Sequence, residues 1–259
     1  MFLGMRPVEN NSAHVKPLKN GGGLIEVTPC QADTEGVESM TRTRIDLNDS
    51  KNLIGVLGWM VIGDGNLTLR GRQKNAFFQL THKESCEDYI RMKESILSLV
   101  SGVSVKRRWH SKAGEYYWQL WTQCHPIYTQ LWRGIYLNKR KTITPHSAKT
   151  LNEMALAILY QDDGRYNKSK STISINKPLF SIPELELLAK YIVDKFGILF
   201  RVRKSCKLKD GTQGHELGLR YSDKDKFFNI ISPYIVPSMR YKVTSGGSHN
   251  LTGEVLRTV

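Results

Sequence analysis

The chain has 259 residues, of which 40% are hydrophobic and 24% are charged, and a chain of this composition is expected to fold around a real core. Lys and Arg number 38 against 24 Asp and Glu, a formal net charge of +14, which favours a polyanionic partner and nucleic acid above all. No apolar run approaches the roughly 18 residues that a membrane-spanning helix needs, so a membrane protein is not expected.

Composition and periodicity divide the chain into four segments. Residues 1–45 carry scattered charge and a Gly-Gly-Gly run without a sustained period, which indicates a weakly structured tail. Residues 46–145 and 146–243 are expected to form two folded halves. Residues 244–259 are predicted to be a flexible C-terminus.

The cysteines argue against a structural zinc site. They are far apart and form no CxxC pair, so free thiols in a reducing compartment, the cytoplasm or an organelle matrix, are expected. The four are Cys30, Cys86, Cys124 and Cys206.

Hydrophobic patterns predict the following elements of the first half, in chain order. They are an apolar helix at Leu53–Ile62, a β-rich piece at Ala76–Thr81, a helix at Glu84–Val100, strands at Val103–Trp109 and Tyr116–Thr122, and a short helix at Pro126–Tyr136.

The second half repeats this order. Its predicted elements are Met154–Tyr160, Ser171–Asn176, Pro183–Phe196, Leu199–Cys206, Glu216–Tyr221 and Asp223–Ile231. Each half is therefore predicted to be α-β-β-α-β-β-α. Such a repeat is typical of a fused dimer, in which one chain imitates two-fold symmetry.

An Asp-Gly pair follows the first apolar helix of each half, at Asp64 and at Asp163. Taken singly, Asp-Gly is a common helix stop and turn, but its presence at matched places favours a shared role. The first helix carries Gly55 and Gly58, and small residues let two helices pack closely. The two carboxylates would then lie near each other and would need a cation, for which Mg²⁺ suits oxygen ligands.

The residues around these acids resemble a known motif. Leu57–Gly65 reads LGWMVIGDG and Leu156–Gly164 reads LAILYQDDG, and both are similar to the LAGLIDADG motif of homing endonucleases of the single-chain, two-motif type. The resemblance implies an α+β fold, with two pseudo-symmetric αββαββα halves, a central pair of LAGLIDADG helices and saddle-shaped antiparallel sheets. It also implies a monomer.

The resemblance implies roles for matched residues. Asp64 and Asp163 match the metal-binding acids, and the preceding Gly63 and Asp162 complete the implied metal set, Asp162 through its backbone carbonyl. Two or three divalent ions, Mg²⁺ among them, are implied at the shared site.

Basic residues near the scissile phosphates are also implied. Lys141 follows Asp64 by 77 positions and Lys242 follows Asp163 by 79, and both match those basic residues, which can stabilise developing negative charge. Gln79 matches a polar residue near the site, and its counterpart in the second half is Ser174. The alternative for each lysine is an ordinary surface charge.

Strand alternation places every second side chain on one face of a sheet, and basic side chains on such a face can line a DNA groove. Some of these residues could equally be solubilising charges. The candidates for DNA binding are Arg70, Arg72, Lys74, Lys106, Arg108, Arg201 and Arg203.

The implied activity is metal-dependent cleavage of both strands of a long asymmetric DNA site, with short 3′ overhangs. Two alternatives keep the same fold: a maturase that binds intron RNA, and a catalytically inactive DNA-binding regulator. The histidines, including His82, form no recognisable catalytic pattern.

Overall fold

The computed structural model describes residues 45–243, and the first half has the predicted order of elements. The tails predicted at 1–45 and 244–259 lie outside the described residues, apart from residue 45. The first half comprises α1 (Ser50–Ile62), β1 (Asn66–Thr68), β2 (Phe77–Lys83), α2 (Glu87–Ser98), β3 (Val103–His110), β4 (Glu115–Thr122) and α3 (Pro126–Ile135).

A short connection leads into the second half, which repeats the same order. The connection consists of β5 (Tyr136–Leu137), β6 (Arg140–Lys141) and α4 (Pro145–Lys149). The second half comprises α5 (Glu153–Asp163), β7 (Gly164–Asn167), β8 (Thr172–Asn176), α6 (Ile182–Phe196), β9 (Phe200–Lys207), β10 (Gln213–Leu219) and α7 (Lys224–Ile231). A 3₁₀ helix at Pro237–Lys242 ends the described chain.

Local chemistry explains where the helices start and stop. The Asn152 side chain accepts a hydrogen bond from the amide of Ala155 at 2.8 Å and so caps α5. Ser181 and Glu184 form a capping box at the start of α6. Gly197 ends α6 in the left-handed conformation, at φ 61°, which glycine adopts without steric cost.

The strands form two four-stranded antiparallel sheets of matching topology, β1-β2-β4-β3 and β7-β8-β10-β9. Asn66 pairs with Gln79 in the first sheet and Arg165 pairs with Ser174 in the second. Asn66 and Arg165 each lie two positions after the motif acid, so Gln79 and Ser174 are structural equivalents, 95 positions apart. The same offset of 95 matches buried positions of α2 with those of α6, for example Lys93 with Leu188.

The two central helices pack against each other and are buried on all sides, as expected for helices that are apolar all round. In α1 every residue from Gly55 to Ile62 is buried, and in α5 every residue from Met154 to Gln161 is buried. Together with the two sheets, this confirms the predicted α+β fold with two αββαββα halves around a central helix pair.

The small residues of α1 do not make the contact that the sequence suggested. A Cβ on Gly58 would meet Leu131 and Ile135 of α3, at 3.6 and 3.9 Å, and a Cβ on Gly55 would meet the Thr150 carbonyl oxygen at 2.8 Å. Gly55 and Gly58 therefore face Thr150 and α3 and not α5, although the two central helices pack against each other as expected. The close approach to α5 occurs one residue beyond the helix, at Gly63.

The two halves are also joined by hydrogen bonds from two segments, one at β6 and one near the end of the second half. Arg140 of β6 donates hydrogen bonds to the Leu179 carbonyl at 2.9 Å and to Glu184 at 3.1 Å, both in the second half. In return, the amide of Ser238 near the end of the second half donates to Asp88 of α2 at 2.8 Å. These two contacts form a reciprocal clasp between the halves.

Several element boundaries differ by a few residues from the sequence prediction, and two of these differences have a clear local cause. Helix α2 starts at Glu87 because Glu84–Cys86 forms a separate 3₁₀ turn, and β10 starts at Gln213 because it continues through an irregularity between Gln213 and His215. Across residues 45–243, none of the helices combines the length and the apolar character that crossing a bilayer would require.

Candidate active site at the ends of the central helices

The two motif acids lie where the central helices end. Asp64 follows Gly63, the C-terminal cap of α1, and Asp163 is the last residue of α5. The structure thus brings both acids to the meeting point of the halves. Burial raises the pKa of Asp64, and burial raises that of Asp163 to about 6 although a nearby ammonium opposes the shift.

The halves differ at the residue before each acid, which is Gly63 in one and Asp162 in the other. The Asp162 carboxylate crosses to the first half and accepts a hydrogen bond from the Asp64 amide at 3.0 Å. A Cβ on Gly63 would overlap that carboxylate. Glycine in the first motif therefore makes room for the second motif's aspartate.

A single methyl group at Gly63 is therefore expected to lower the free energy of unfolding by about 1–3 kcal/mol, because it overpacks a closed contact. Urea unfolding of Gly63→Ala measures this. Gly134→Ala in α3 is the matched control, since a Cβ there meets no atom within 4 Å, and its stability should be unchanged or slightly higher. Equal stability of both variants would contradict the close approach.

Asp162 is the most enclosed acid of the site, with no exposed side-chain surface. Its Oδ1 accepts hydrogen bonds from the Tyr89 hydroxyl and from Lys93 Nζ, each at 2.7 Å. Burial by itself would raise the pKa of Asp162, but the Lys93 ammonium holds it below the usual value. The Lys93 side chain is equally buried, and its equivalent in α6 is the buried Leu188. The ion pair is therefore present in one half alone.

His82 lies beside these acids, and no sequence pattern pointed to it. Its Nε2 is 4.0 Å from Asp64 Oδ2 and 3.9 Å from Asp162 Oδ1, and this nitrogen is buried without a hydrogen-bond partner. Burial, aided by the Lys93 charge, lowers the pKa of His82 to about 4. The imidazole is therefore neutral at neutral pH and can accept a hydrogen bond or bind a cation.

Lys141 and Lys242 both bind backbone at the motif ends. Lys141 Nζ donates to the carbonyls of Gly63 and Gly65 at 2.8 and 2.7 Å, and Lys242 Nζ donates to the Gln161 carbonyl at 2.6 Å. Burial lowers the pKa of both amines, that of Lys141 to about 8. The structure thus places each lysine at the motif of its own half.

A further lysine, Lys177, was not predicted from the sequence. Its ammonium forms an ion pair with the Asp163 carboxylate and donates to the Ile62 carbonyl at 2.7 Å. Lys177 directly follows β8, and counting three positions on from the equivalent pair Gln79 and Ser174 matches it with His82, 95 positions away. One position thus carries a neutral imidazole in the first half and an ammonium in the second.

The polar residue Gln79 lies at the edge of the site. It is exposed, its side chain donates to Thr68 Oγ1 at 3.1 Å, and its equivalent Ser174 is buried. Its catalytic role stays a prediction.

The predicted basic strand residues share the face of each sheet that is turned away from α2 and α6. Lys106 is paired with Gln119, and Arg108 with Tyr117. In the second sheet Arg201 is paired with Gly218, and a Cβ on Gly218 would overlap the Arg203 side chain, so the glycine makes room for Arg203.

The other three candidates for DNA binding are in the segment that joins β1 to β2. The Arg70 guanidinium lies over the Phe77 ring, 5.1 Å from its centroid, whereas Arg72 and Lys74 are exposed. By contrast Arg107, which was not a candidate, faces the opposite side of its sheet and pairs with Glu84. A role in DNA binding stays a prediction for all seven candidates.

Two open clefts lie on either side of the motif ends. One, of about 590 Å³, is lined by Asp64, Asn66, Gln79 and Arg108 among others. The second, of about 480 Å³, is lined by Lys141, Asp163, Asn176 and Lys177 among others. Each motif acid therefore borders its own cleft.

Taken together, duplicated halves, a central helix pair and an acid at each helix end define a LAGLIDADG protein. The chain belongs to the LAGLIDADG DNA endonuclease family, whose model matches residues 54–224.

Several curated proteins are similar in sequence. One is the protein RecA of Mycolicibacterium chitae, 29% identical over 202 residues that cover 73% of this chain and 45% of that protein. Another is the DNA endonuclease I-ChuI of Chlamydomonas applanata, 23% identical over 205 residues that cover 74% of this chain and 94% of that protein. A third is the probable intron-encoded endonuclease 1 of Wickerhamomyces canadensis, 26% identical over 132 residues that cover 49% of this chain and 54% of that protein. The chain spans about half the length of the first-named relative.

A solved structure shares the fold. It is described as the homing endonuclease I-WcaI bound to its DNA recognition sequence, and it matches with a TM-score of 0.63 and 23% identity over 75% of this chain and 86% of that one. At this identity the likeness supports the fold.

Proposed function

We propose that this chain is a site-specific endonuclease that binds a long asymmetric duplex DNA site as a monomer and hydrolyses both strands with Mg²⁺. The observation that carries the proposal is the pair of acids, Asp64 and Asp163, at the ends of two packed helices, each motif with a half-buried lysine of its own half bonded to its backbone. Short 3′ overhangs and two or three divalent ions at the shared site are part of the proposal.

The residues at the helix ends fit a divalent cation. Asp64, Asp162 and His82 each offer a ligand atom, and these atoms lie within 4.8 Å of one another. The buried, unpartnered Nε2 of His82 adds a lone pair to the carboxylates. Asp64, Asp163 and the carbonyls of Gly63 and Asp162 would hold the ions, and a bound divalent ion would polarise the phosphodiester and make water more acidic.

The protein groups contribute position and charge to the hydrolysis. A water oxygen bonds to phosphorus as the bond from phosphorus to the 3′ oxygen breaks, which leaves a 5′ phosphate and a 3′ hydroxyl. Water loses one proton and the 3′ oxygen gains one. Lys141 and Lys242, fixed by backbone carbonyls, hold positive charge where negative charge grows on the phosphate oxygens.

The basic faces of the two sheets would bind the duplex. Their side chains are not the same, with Lys106 and Arg108 on one sheet and Arg201 and Arg203 on the other. Phosphate contacts would give affinity and base contacts would give specificity. Unequal faces suit an asymmetric site, and the DNA-bound state of I-WcaI supports a duplex as the ligand.

Removal of one arginine from the open face, which is the sheet face turned away from α2 and α6, is expected to weaken DNA binding. If the arginine contacts a base, the loss of specific binding should be about 1–3 kcal/mol. If it contacts a phosphate, the slope of log affinity against log salt should fall by about one unit. Arg203→Ala tests this in fluorescence anisotropy titrations at several salt concentrations. Arg107→Ala is the matched control, since Arg107 faces away and pairs with Glu84. Equal losses in both variants would contradict the assignment of the open face.

The test of the proposed function is cleavage of duplex DNA that spans the joined sequences flanking the gene, followed by sequencing of the ends. A single double-strand cut with short 3′ overhangs, lost in EDTA and restored by Mg²⁺, is expected. Specific binding without a cut would overturn the nuclease in favour of an inactive DNA-binding regulator. Tight binding to the structured intron RNA without DNA cleavage would overturn it in favour of a maturase.

A further inference from the structure

We propose that Lys177 is a built-in cation at the Asp163 carboxylate, which weakens divalent-ion binding in the second half and makes that half cut its DNA strand after the first half has cut its own. The inference rests on the proposed nuclease function. It assigns to the chain an inherent order of strand cleavage.

The first support is the position of the ammonium. The Lys177 side chain is 6% exposed, pairs with Asp163 and donates to the Ile62 carbonyl at 2.7 Å. It is therefore fixed between the ends of α1 and α5. A divalent ion that binds Asp163 must either displace this ammonium or share the carboxylate with it, and charge repulsion disfavours sharing.

The second support is the contrast with the first half. There the equivalent residue is His82, whose buried Nε2 lies 4.0 Å from Asp64 and has no hydrogen-bond partner. The Asp64 side chain is 41% exposed, whereas that of Asp163 is 19% exposed. An imidazole nitrogen has a lone pair that can ligate a cation, whereas the ammonium of lysine has none.

The other charges near Asp163 do not cancel this difference. Lys141 lines the same cleft as Lys177 and Asp163, so a second ammonium faces the acid. In the first half the buried charge of Lys93 is already paired with Asp162 at 2.7 Å. Lys93, Lys177 and Lys242 also attract the Asp64 carboxylate. Within residues 45–243, however, the ammonium in direct contact with a motif acid is that of Lys177 on Asp163.

Metal affinity tests the inference without any cleavage. The full-length protein is titrated with Mn²⁺ alone, and free Mn²⁺ is counted by electron paramagnetic resonance. Lys177→Met is expected to bind Mn²⁺ about tenfold or more tightly, as removal of a charge close to the ligand predicts. Lys177→Arg, which keeps the charge, and Lys190→Met, which breaks the exposed pair with Asp194, are expected to match the wild type.

Exchange of the residue types at the two equivalent positions, His82 and Lys177, gives a second measurement that uses two further variants. His82→Lys is expected to weaken Mn²⁺ binding in the first half, and Lys177→His is expected to strengthen it in the second. Circular dichroism confirms that each variant folds. An additional Asp163→Asn substitution should remove the gain of Lys177→Met, which places that gain at Asp163.

Strand order is then read with each strand of the identified DNA site labelled separately. The wild type is expected to accumulate a nick in one strand, and Lys177→Met is expected to shorten the life of that nick. Unchanged Mn²⁺ affinity in both Lys177→Met and Lys177→His would overturn the inference. The nuclease would stand in that case if Asp64→Asn still abolished Mg²⁺-dependent cleavage, so the two failures are distinguishable.

Discussion

Asparagine in place of Asp163 is expected to abolish DNA cleavage, with a fall of about a thousandfold or more, while DNA affinity stays near that of the wild type. The substitution keeps the shape of the side chain and removes the negative charge at the end of α5. Without that charge a divalent ion is held too weakly to act on the phosphate. The basic sheet faces do not include this residue, so binding should persist. Cleavage rates and gel-shift affinities on the same duplex measure both properties.

The control for this variant is Asp194→Asn, which removes an exposed carboxylate that also pairs with a lysine. It should cleave like the wild type. Full activity of Asp163→Asn would overturn the assignment of Asp163 as a metal-binding acid. A parallel loss of DNA binding would show that the residue is needed for the fold or for the docked DNA. Circular dichroism distinguishes a loss of the fold from a loss of DNA contact, because only the former changes the spectrum.

Leucine in place of Lys93 is expected to destabilise the fold by about 3–5 kcal/mol, because it leaves the Asp162 carboxylate charged, buried and without its counter-ion. The leucine is the residue found at the equivalent place in α6, at Leu188, so packing alone should tolerate it. The Tyr89 hydroxyl still donates to Asp162 but supplies no positive charge. Urea unfolding monitored by circular dichroism measures the loss.

The coupling energy of the buried ion pair between Lys93 and Asp162 is best measured by a double-mutant cycle of Lys93→Leu and Asp162→Asn. The double variant Lys93→Leu with Asp162→Asn should be more stable than Lys93→Leu alone, since the second change removes the uncompensated charge. The exposed pair of Lys190 and Asp194 is the matched surface cycle and should show a coupling energy below about 1 kcal/mol. A similarly small coupling at Lys93 and Asp162 would mean that solvent reaches the buried pair.

The duplicated architecture could be predicted from the sequence because it rests on local periodicity. Apolar runs predicted the two central helices, strand patterns predicted the three longer strands of each half, and the Asp-Gly pairs marked where the helices end. The short elements had no such signal. Strands β1 and β7 have three and four residues, and the β5–β6 hairpin has two residues on each side, so tertiary pairing decides them.

The chemistry of the site could be predicted only where a residue belongs to the motif itself. His82, Lys93 and Lys177 enter the site from a strand, a helix and a strand end, and their roles depend on which side chain crosses the boundary between the halves. One sequence signal could have helped. Extending the equivalence of Gln79 and Ser174 by three positions matches His82 with Lys177 and exposes an unequal pair beside the acids.

The reciprocal clasp sets where this chain can be divided. Arg140 precedes the second half in sequence yet bonds to Leu179 and Glu184, and Ser238 near the end of the second half bonds back to Asp88. A chimaera joined at the linker from two different parents would therefore mismatch both clasps at once. When one half is exchanged between related proteins, the residues that accept these contacts, Asp88, Leu179 and Glu184, must match the new half as well. The unit that can be exchanged is therefore larger than one repeat.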